Sequence, residues 1–297
     1  MRFLFLLILA GCTQLHIEND IFAPGPNDDK NYTHGTKFSH IEEKEDGRNL
    51  YSVGQNVYTP DNKGEGPITE EILDDFKRDR LYSGWLYGEY RQTRYSNTNN
   101  FSTKGIQIGC VGRCSFAQLS QQGVHKILGQ KIPAWRDEFQ QRSEPGVILE
   151  YELGKIFKKG EYYDFTGGLK FKGGNIITDG SGGFSFRAGT GLDKVYGEPI
   201  IFRVPSIPEI ETRSGFSIFA FLEGQTRGVL YNHLLSGSLF QSERHRVSEE
   251  PFIAEGRTGF AVGYGKLRFT YTFFALTNEW KERKGGFAFG GLDFSWG

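Results

Sequence analysis

The sequence predicts an all-β fold: a transmembrane antiparallel β-barrel of about 12 strands with short helices in extracellular loops. Three observations carry that prediction. Short segments alternating apolar with polar residues recur from residue 15 to the end of the chain, the two-residue period of a strand with one face in an apolar medium. Glycine (40 residues) and aromatic side chains (15%) are both abundant, as hairpin turns and interfacial girdles require. An apolar leader precedes the first strand, so the chain is expected to be exported. The mean hydropathy of −0.46 does not oppose a membrane barrel, whose lipid-facing residues alternate with a polar lumen. A net charge of −1 provides no basic face, and nucleic acid is excluded as a partner. The competing architecture is a soluble β-sandwich, which an export signal and aromatic-rich strands disfavour.

Taken in order, the elements begin with Arg2 and the apolar run Phe3 to Leu9, shorter than the roughly 20 residues that a membrane helix needs. Leu9-Ala10-Gly11-Cys12 resembles a bacterial lipobox. Residues 1–11 are therefore expected to be a lipoprotein-type signal peptide, with Cys12 the lipidated first residue of a single barrel domain spanning 12–297. The alternative is an ordinary signal cut nearby, with Cys12 incidental. Leu15, Ile17 and Ile21 open the first strand, and Phe216, Ile218, Ala220 and Leu222 repeat its pattern. Leu267, Phe269, Tyr271, Phe273 and Ala275 share one face against Arg268, Thr270 and Thr272 on the other. Further strands are expected near 33–42, 49–58, 83–95, 104–112, 146–157, 161–172, 183–192, 236–245, 257–264 and 285–296. The total is about twelve or thirteen, and the even-strand rule of single-chain bacterial barrels favours twelve. Turns are expected at Lys158-Lys159-Gly160, Asp179 to Gly183 and Gly263-Tyr264-Gly265. Trp85, Tyr87, Tyr162, Tyr163, Trp280 and Trp296 are placed in the girdles. Residues 68–78 and 115–129 read as loop helices, the second capped by Ser115 and ended by Gly129. Cys110 and Cys114 suit a small loop disulfide in an oxidising compartment, and two cysteines make a poor zinc site.

Chemistry concentrates in two places. Glu18-Asn19-Asp20, with Asp29 and Tyr32-Thr33 about ten residues on, offers oxygen-rich groups suited to a hard cation such as calcium. Asn19 shares the parity of Leu15 and Ile17, which aims its amide at lipid unless a bulge turns it or something polar covers it. A loop helix laid against the outer wall is one such cover. On the 115–129 helix, Gln118, Gln121, Gln122 and His125 share one face, while Phe116, Leu119 and Ile127 are opposite and available for packing. The plain reading is a solvated loop helix with an idle histidine. The chemical reading is a general base oriented by neighbouring amides. No Gly-x-Ser-x-Gly elbow is present. His16, His34, His40, His233 and His245 are scattered among strand candidates, with His34 and His40 flanking the Tyr-Thr pair.

These residues resemble a known family. Glu18-Asn19-Asp20-x-Phe22, Asp29-x-x-Tyr32-Thr33-x-Gly35-x-x-x-Ser39, Gly54 to Pro60 and Asp79 to Leu86 look like the opening of the outer-membrane lipid A 3′-O-deacylases. Gln121-x-x-x-His125-x-x-x-Gly129, Pro133-x-Trp135, Glu144-Pro145-Gly146 and Arg227-Gly228-x-x-x-Asn232 resemble its later segments. Here Arg80 is followed by Leu81-Tyr82-Ser83-Gly84-Trp85, where the family usually has Pro-Tyr-Ala-Gly-Trp. The resemblance implies a twelve-stranded barrel with its site between the wall and a loop helix. It also implies calcium-dependent hydrolysis of the 3′-linked acyloxyacyl ester of lipid A in lipopolysaccharide, in the bacterial outer membrane; separately, a monomer is expected. His125, Asn19 and Gln121 fall on catalytic positions and Asp20 on the Ca2+ position. Thr33, Ser39, Arg80 and Lys37 are expected to bind substrate, the two cations through its phosphates. Two other functions compete: an outer-membrane phospholipase using the same histidine and calcium, and a non-enzymatic pore or structural barrel.

Overall fold

The computed structural model describes residues 12–24, 31–61, 69–96, 99–192, 215–240, 247–283 and 285–297. The first strands are β1 (Cys12–Asn19), β2 (Asn31–Lys44), β3 (Gly47–Thr59), β4 (Ser83–Tyr95), β5 (Asn100–Val111) and β6 (Glu144–Lys159). They are followed by β7 (Tyr163–Gly174), β8 (Ile177–Thr190), β9 (Phe216–Asn232), β10 (Phe252–Tyr264), β11 (Leu267–Leu276) and β12 (Phe287–Trp296). Each pairs antiparallel with its sequence neighbours, and β1 pairs with β12 from Thr13↔Trp296 to Asn19↔Gly290, closing the barrel. Closure is what lets a sheet cross hydrocarbon, because every backbone N–H and C=O then has a partner in protein.

The two ends of the barrel differ. At one end, residues 45–46, 160–162 and 265–266 join strands by tight turns, and the start of β1 lies there beside Trp296 and His40. At the other end, longer connections carry α1 (Glu70–Phe76), α2 (Ala117–Leu128) and α3 (His233–Ser236). Short turns mark the periplasmic end and long loops the extracellular end of such barrels.

Alternation sorts the wall. On β6, Val147, Leu149, Tyr151 and Leu153 are exposed outside, while Ile148, Glu150 and Glu152 are buried in the lumen. Ion pairs between nearby strands line the lumen: Arg91–Glu152 at 3.1 Å, Lys170–Glu150 at 3.2 Å and Arg187–Asp164 at 2.5 Å. Towards the extracellular mouth, Tyr32, Tyr58, Trp85, Tyr87, Phe274 and Phe289 form an aromatic stopper. Its Tyr32 and Phe274 rings lie 4.9 and 4.5 Å from Phe289.

Several sequence expectations are corrected. No strand forms at 236–240: α3 ends at Ser236 and irregular chain follows, while 241–246, including His245, lie outside the described residues. Removing it leaves the even count of twelve. Asp179 to Gly183 is not a turn but the interior of β8. Gly180 and Gly182 pair near the Phe171 and Leu169 side chains of β7, which occupy the space their missing side chains leave. Trp85 and Tyr87 leave the girdle for the lumen, because both share parity with buried Glu89 and Arg91. Trp280 is buried in a loop cluster with Leu235 and Val247.

Candidate active site on the outer wall

Helix α2 lies against the outside of the barrel. On β3, Tyr51 and Val53 are exposed, and Gln55, Val57 and Thr59 continue the same outward row, yet Val57 and Thr59 are fully buried. What covers them is α2 and its flanking chain. Gln55 Nε2 donates to the Ser115 carbonyl at 2.6 Å. Val57 packs in one cluster with Ala117, Tyr82, Trp135, Phe139 and Phe76. Close approach depends on Gly84 of β4: a Cβ there would stand 2.2 Å from Ser115 Oγ and 2.4 Å from Ala117 Cβ. Just before the helix, η2 (Gly112–Ser115) is stapled to the end of β5 by the Cys110–Cys114 disulfide. The helix is not capped by Ser115 as expected. Phe116 precedes it at φ 57°, with no side-chain cap bond. Gly129 ends it at φ 65°, the left-handed conformation that glycine tolerates.

The helix face turned to the wall is the polar one. Gln121 and His125 are both buried, which overturns the reading of a solvated stripe. Gln121 Nε2 donates to Thr59 Oγ1 at 3.2 Å, and Gln121 Oε1 accepts from Trp135 Nε1 at 2.6 Å. Thr33 Oγ1 donates to the same Thr59 oxygen at 2.9 Å, so a chain of polar groups runs from β2 through β3 to the helix. Gln122 Nε2 donates to the Pro133 carbonyl at 3.1 Å, holding the returning loop. One turn beyond Gln121, His125 Nδ1 lies 2.6 Å from the Lys131 carbonyl. A carbonyl only accepts, so Nδ1 carries the proton and the basic lone pair of the neutral ring is on Nε2.

A second element covers the wall on the other side of β1 and β2. Asn19 points outward at the end of β1, as its parity requires, and its Oδ1 accepts from Ile21 N at 2.9 Å to cap η1 (Asp20–Phe22). Its Nδ2 approaches His34 Nδ1 at 3.4 Å. The turn lies across β11 and β12: Tyr271 Oη donates to the Phe22 carbonyl at 2.9 Å, and a Cβ on Gly290 would meet Phe22 at 2.5 Å. Since the strand order runs β11-β12-β1-β2-β3-β4, η1 and α2 flank one stretch of wall. That stretch presents Asn19, Thr33 and His34 between them.

For the expected Ca2+, the turn offers the carboxylate of Asp20, its first residue, and the amide oxygen of Asn19, its cap, against the roughly six to eight oxygens that calcium takes. No group of three or more His, Cys, Asp or Glu is gathered among the described residues, and Asp29 lies outside them. The other expected substrate contacts are elsewhere. Ser39 is buried in the lumen against Ser52 at 2.9 Å, and Lys37 pairs there with Glu89 at 3.8 Å. Arg80 is buried at the mouth, 4.3 Å over the Tyr58 ring and 3.6 Å from Glu279. A lumen cavity lined by Glu18, Tyr32, Lys37, Arg80, Glu150 and Arg227 includes no residue of α2. The structure thus joins His125, Gln121 and Thr33, sets Asn19 and Asp20 on the same outer wall, and leaves Ser39, Lys37 and Arg80 inside. Sequence reading passed over Thr59, although it continues the outward row of Tyr51 and Val53. The side chain of Cys12 lies outside the described residues.

Comparison with known proteins supplies a family. A family model described as outer membrane protein LpxR matches residues 8–297. Among solved structures, LpxR from Salmonella typhimurium superposes with a TM-score of 0.80 at 20% identity, over 96% of this chain and 99% of that one. A monoaromatic hydrocarbon channel, CymD, aligns at a TM-score of 0.36 and 11% identity, over 96% of this chain and 87% of its own. Among curated proteins, none matches the chain.

Proposed function

The chain belongs to the LpxR family of outer membrane proteins, and from that premise we propose that it is an ester hydrolase removing the 3′-linked acyloxyacyl chain of lipid A in the outer leaflet. One observation carries the reading. A buried histidine faces the outer wall from a loop helix, with its tautomer set by a backbone carbonyl 2.6 Å away. A structural barrel has no need of an oriented imidazole at that place. Lipid-facing position also suits a substrate that never leaves the membrane.

In this mechanism His125 Nε2 takes a proton from water as the water oxygen bonds to the ester carbonyl carbon. The tetrahedral intermediate collapses by breaking the bond to the sugar oxygen. That oxygen receives the proton from the imidazolium and leaves as the 3′-hydroxyl, while the acyl chain departs as the carboxylic acid. Lys131 O stabilises the imidazolium through Nδ1–H. Gln121, fixed by Thr59 and Trp135, holds the helix face that carries the histidine. Asn19 presents an amide at the opposite edge of the recess. Asp20 would hold a calcium ion, which when bound supplies a Lewis acid for the ester carbonyl.

Mass spectrometry of lipid A from cells expressing the folded protein with calcium present tests the proposal. Loss of the 3′-acyloxyacyl mass is expected with the wild type and not with His125→Ala. Unchanged lipid A from the wild type overturns it. A rise in lysophospholipid without that change would instead identify a phospholipase.

A further inference from the structure

Helix α2 is turned the wrong way round for water. Gln121 and His125 face the wall, whereas Phe116, Leu119, Val124 and Ile127 face away from it and are 60, 71, 44 and 84% exposed. Phe116, Leu119 and Ile127, expected opposite the polar face and available for packing, have no cover from the chain itself among the described residues. An amphipathic helix in water buries its apolar side. Here the contacts of Gln55, Gly84 and Gln121 lock the reverse orientation.

The apolar stripe is also continuous with a surface whose partner is known. Below it on the barrel, Val53 of β3 and Ile108 of β5 are exposed on the outer face. In an outer-membrane barrel that face meets lipid hydrocarbon. We infer that α2 is a lipid-immersed helix, its Phe116–Leu119–Val124–Ile127 side dissolved among the acyl chains of the surrounding outer leaflet. The immersion follows from orientation and exposure. Its functional consequence rests on the proposed hydrolase: an ester bond would reach the His125 side of the helix by moving laterally past its edge, without an excursion into water. Lys126, exposed on the rim of the stripe, is long enough to reach the headgroup layer.

Site-directed spin labelling tests the immersion without reference to catalysis. Leu119→Cys and Ile127→Cys would each be labelled in full-length protein carrying Cys12→Ser, folded into dimyristoylphosphatidylcholine vesicles. Leu149→Cys provides the lipid-facing reference, Glu138→Cys the aqueous one, and heat-modifiable migration verifies folding. The expected result is high collision with oxygen and low collision with a nickel chelate at 119 and 127, matching position 149. Nickel accessibility matching position 138 overturns the inference. Because neither outcome depends on hydrolysis, an inactive protein with immersed labels would reject the enzyme reading and leave this one standing.

Discussion

At the scale of single residues, the proposed hydrolysis turns on His125 and the groups that hold its helix face. Replacing His125 by alanine removes the proposed base, so turnover on lipid A should fall by roughly 10²–10⁴-fold while the barrel remains heat-modifiable. Gln121→Ala acts differently. It strips a partner from the buried Trp135 N–H and from Thr59, a loss of about 1–3 kcal/mol in seating the helix. The expected signs are greater proteolysis of residues 112–143 and lower activity, with an unaltered barrel. Asp20→Ala should raise the calcium concentration needed for half-maximal activity, read by metal titration of the purified enzyme. The sequence singles out His125, Gln121, Asn19 and Asp20 as candidates through their motif, but a motif does not tell which side of a wall a residue takes. Thr33, Lys37 and Ser39 have equal parity, and simple alternation would group them. A register shift between Tyr32 and His34 separates them. It leaves Thr33 with Thr59 on the outer wall, while Lys37 and Ser39 stay in the lumen. Nothing in the residue types announces that bulge.

At the scale of elements, the closeness of α2 to the wall is the quantity to perturb. Gly84→Val inserts a side chain where a Cβ already meets Ser115 and Ala117 at 2.2 and 2.4 Å, forcing the helix out by about 1 Å. A displacement of that size costs on the order of 10²-fold in rate. Gly88 occupies the same outward row, and a Cβ there meets nothing within 4 Å, so Gly88→Val should retain activity. Reducing the Cys110–Cys114 bridge should loosen the start of α2 by about 2 kcal/mol, through loop entropy returned to the open state. Faster thermolysin cleavage of the segment would report it. Asp79, in the connection between β3 and β4, supplies a pH dependence. Burial, with Asp61 beside it, pushes its carboxyl up to about 6. A carboxyl raised on folding favours the folded loop where it is protonated. Its contribution is complete below about pH 4 and is lost as pH rises through about 6. Proteinase K should therefore cut residues 60–82 more slowly at about pH 5 than at about pH 8, and Asp79→Asn should flatten that difference. Strands were legible because their period is short and repeated. Expectation and structure differ at Asp179 to Gly183, since a glycine row inside a strand has the composition of a loop. They differ again for α2, because an amphipathic pattern names two faces without naming which medium lies beyond each.

At the scale of the whole molecule, the barrel keeps the proposed site outside and most of its buried charges inside. Apolar side chains line the outer wall, so the lumen cannot be a hydrophobic core. It is filled by paired charges below an aromatic stopper. Such a lumen separates the enzyme reading from the pore reading. With the stopper at its mouth and ion-paired side chains lining it, planar-bilayer recordings of the folded protein should show no steady conductance, whereas a pore would open. The same filling makes stability depend on the interior rather than on the recess. Arg257 lies 2.6 Å from Glu255 and 3.5 Å from Glu223, with its guanidinium 5.4 Å from the centre of the Phe274 ring. Arg257→Met keeps most of the stem volume but strands two buried carboxylates, a change costing about 3–5 kcal/mol when one side of a buried pair is removed. Its urea midpoint should drop well below that of the wild type, while His125→Ala, on a loop helix outside the wall, should leave the midpoint unmoved. Equal midpoints for wild type and Arg257→Met would mean that water, rather than ion pairing, carries those charges in the lumen.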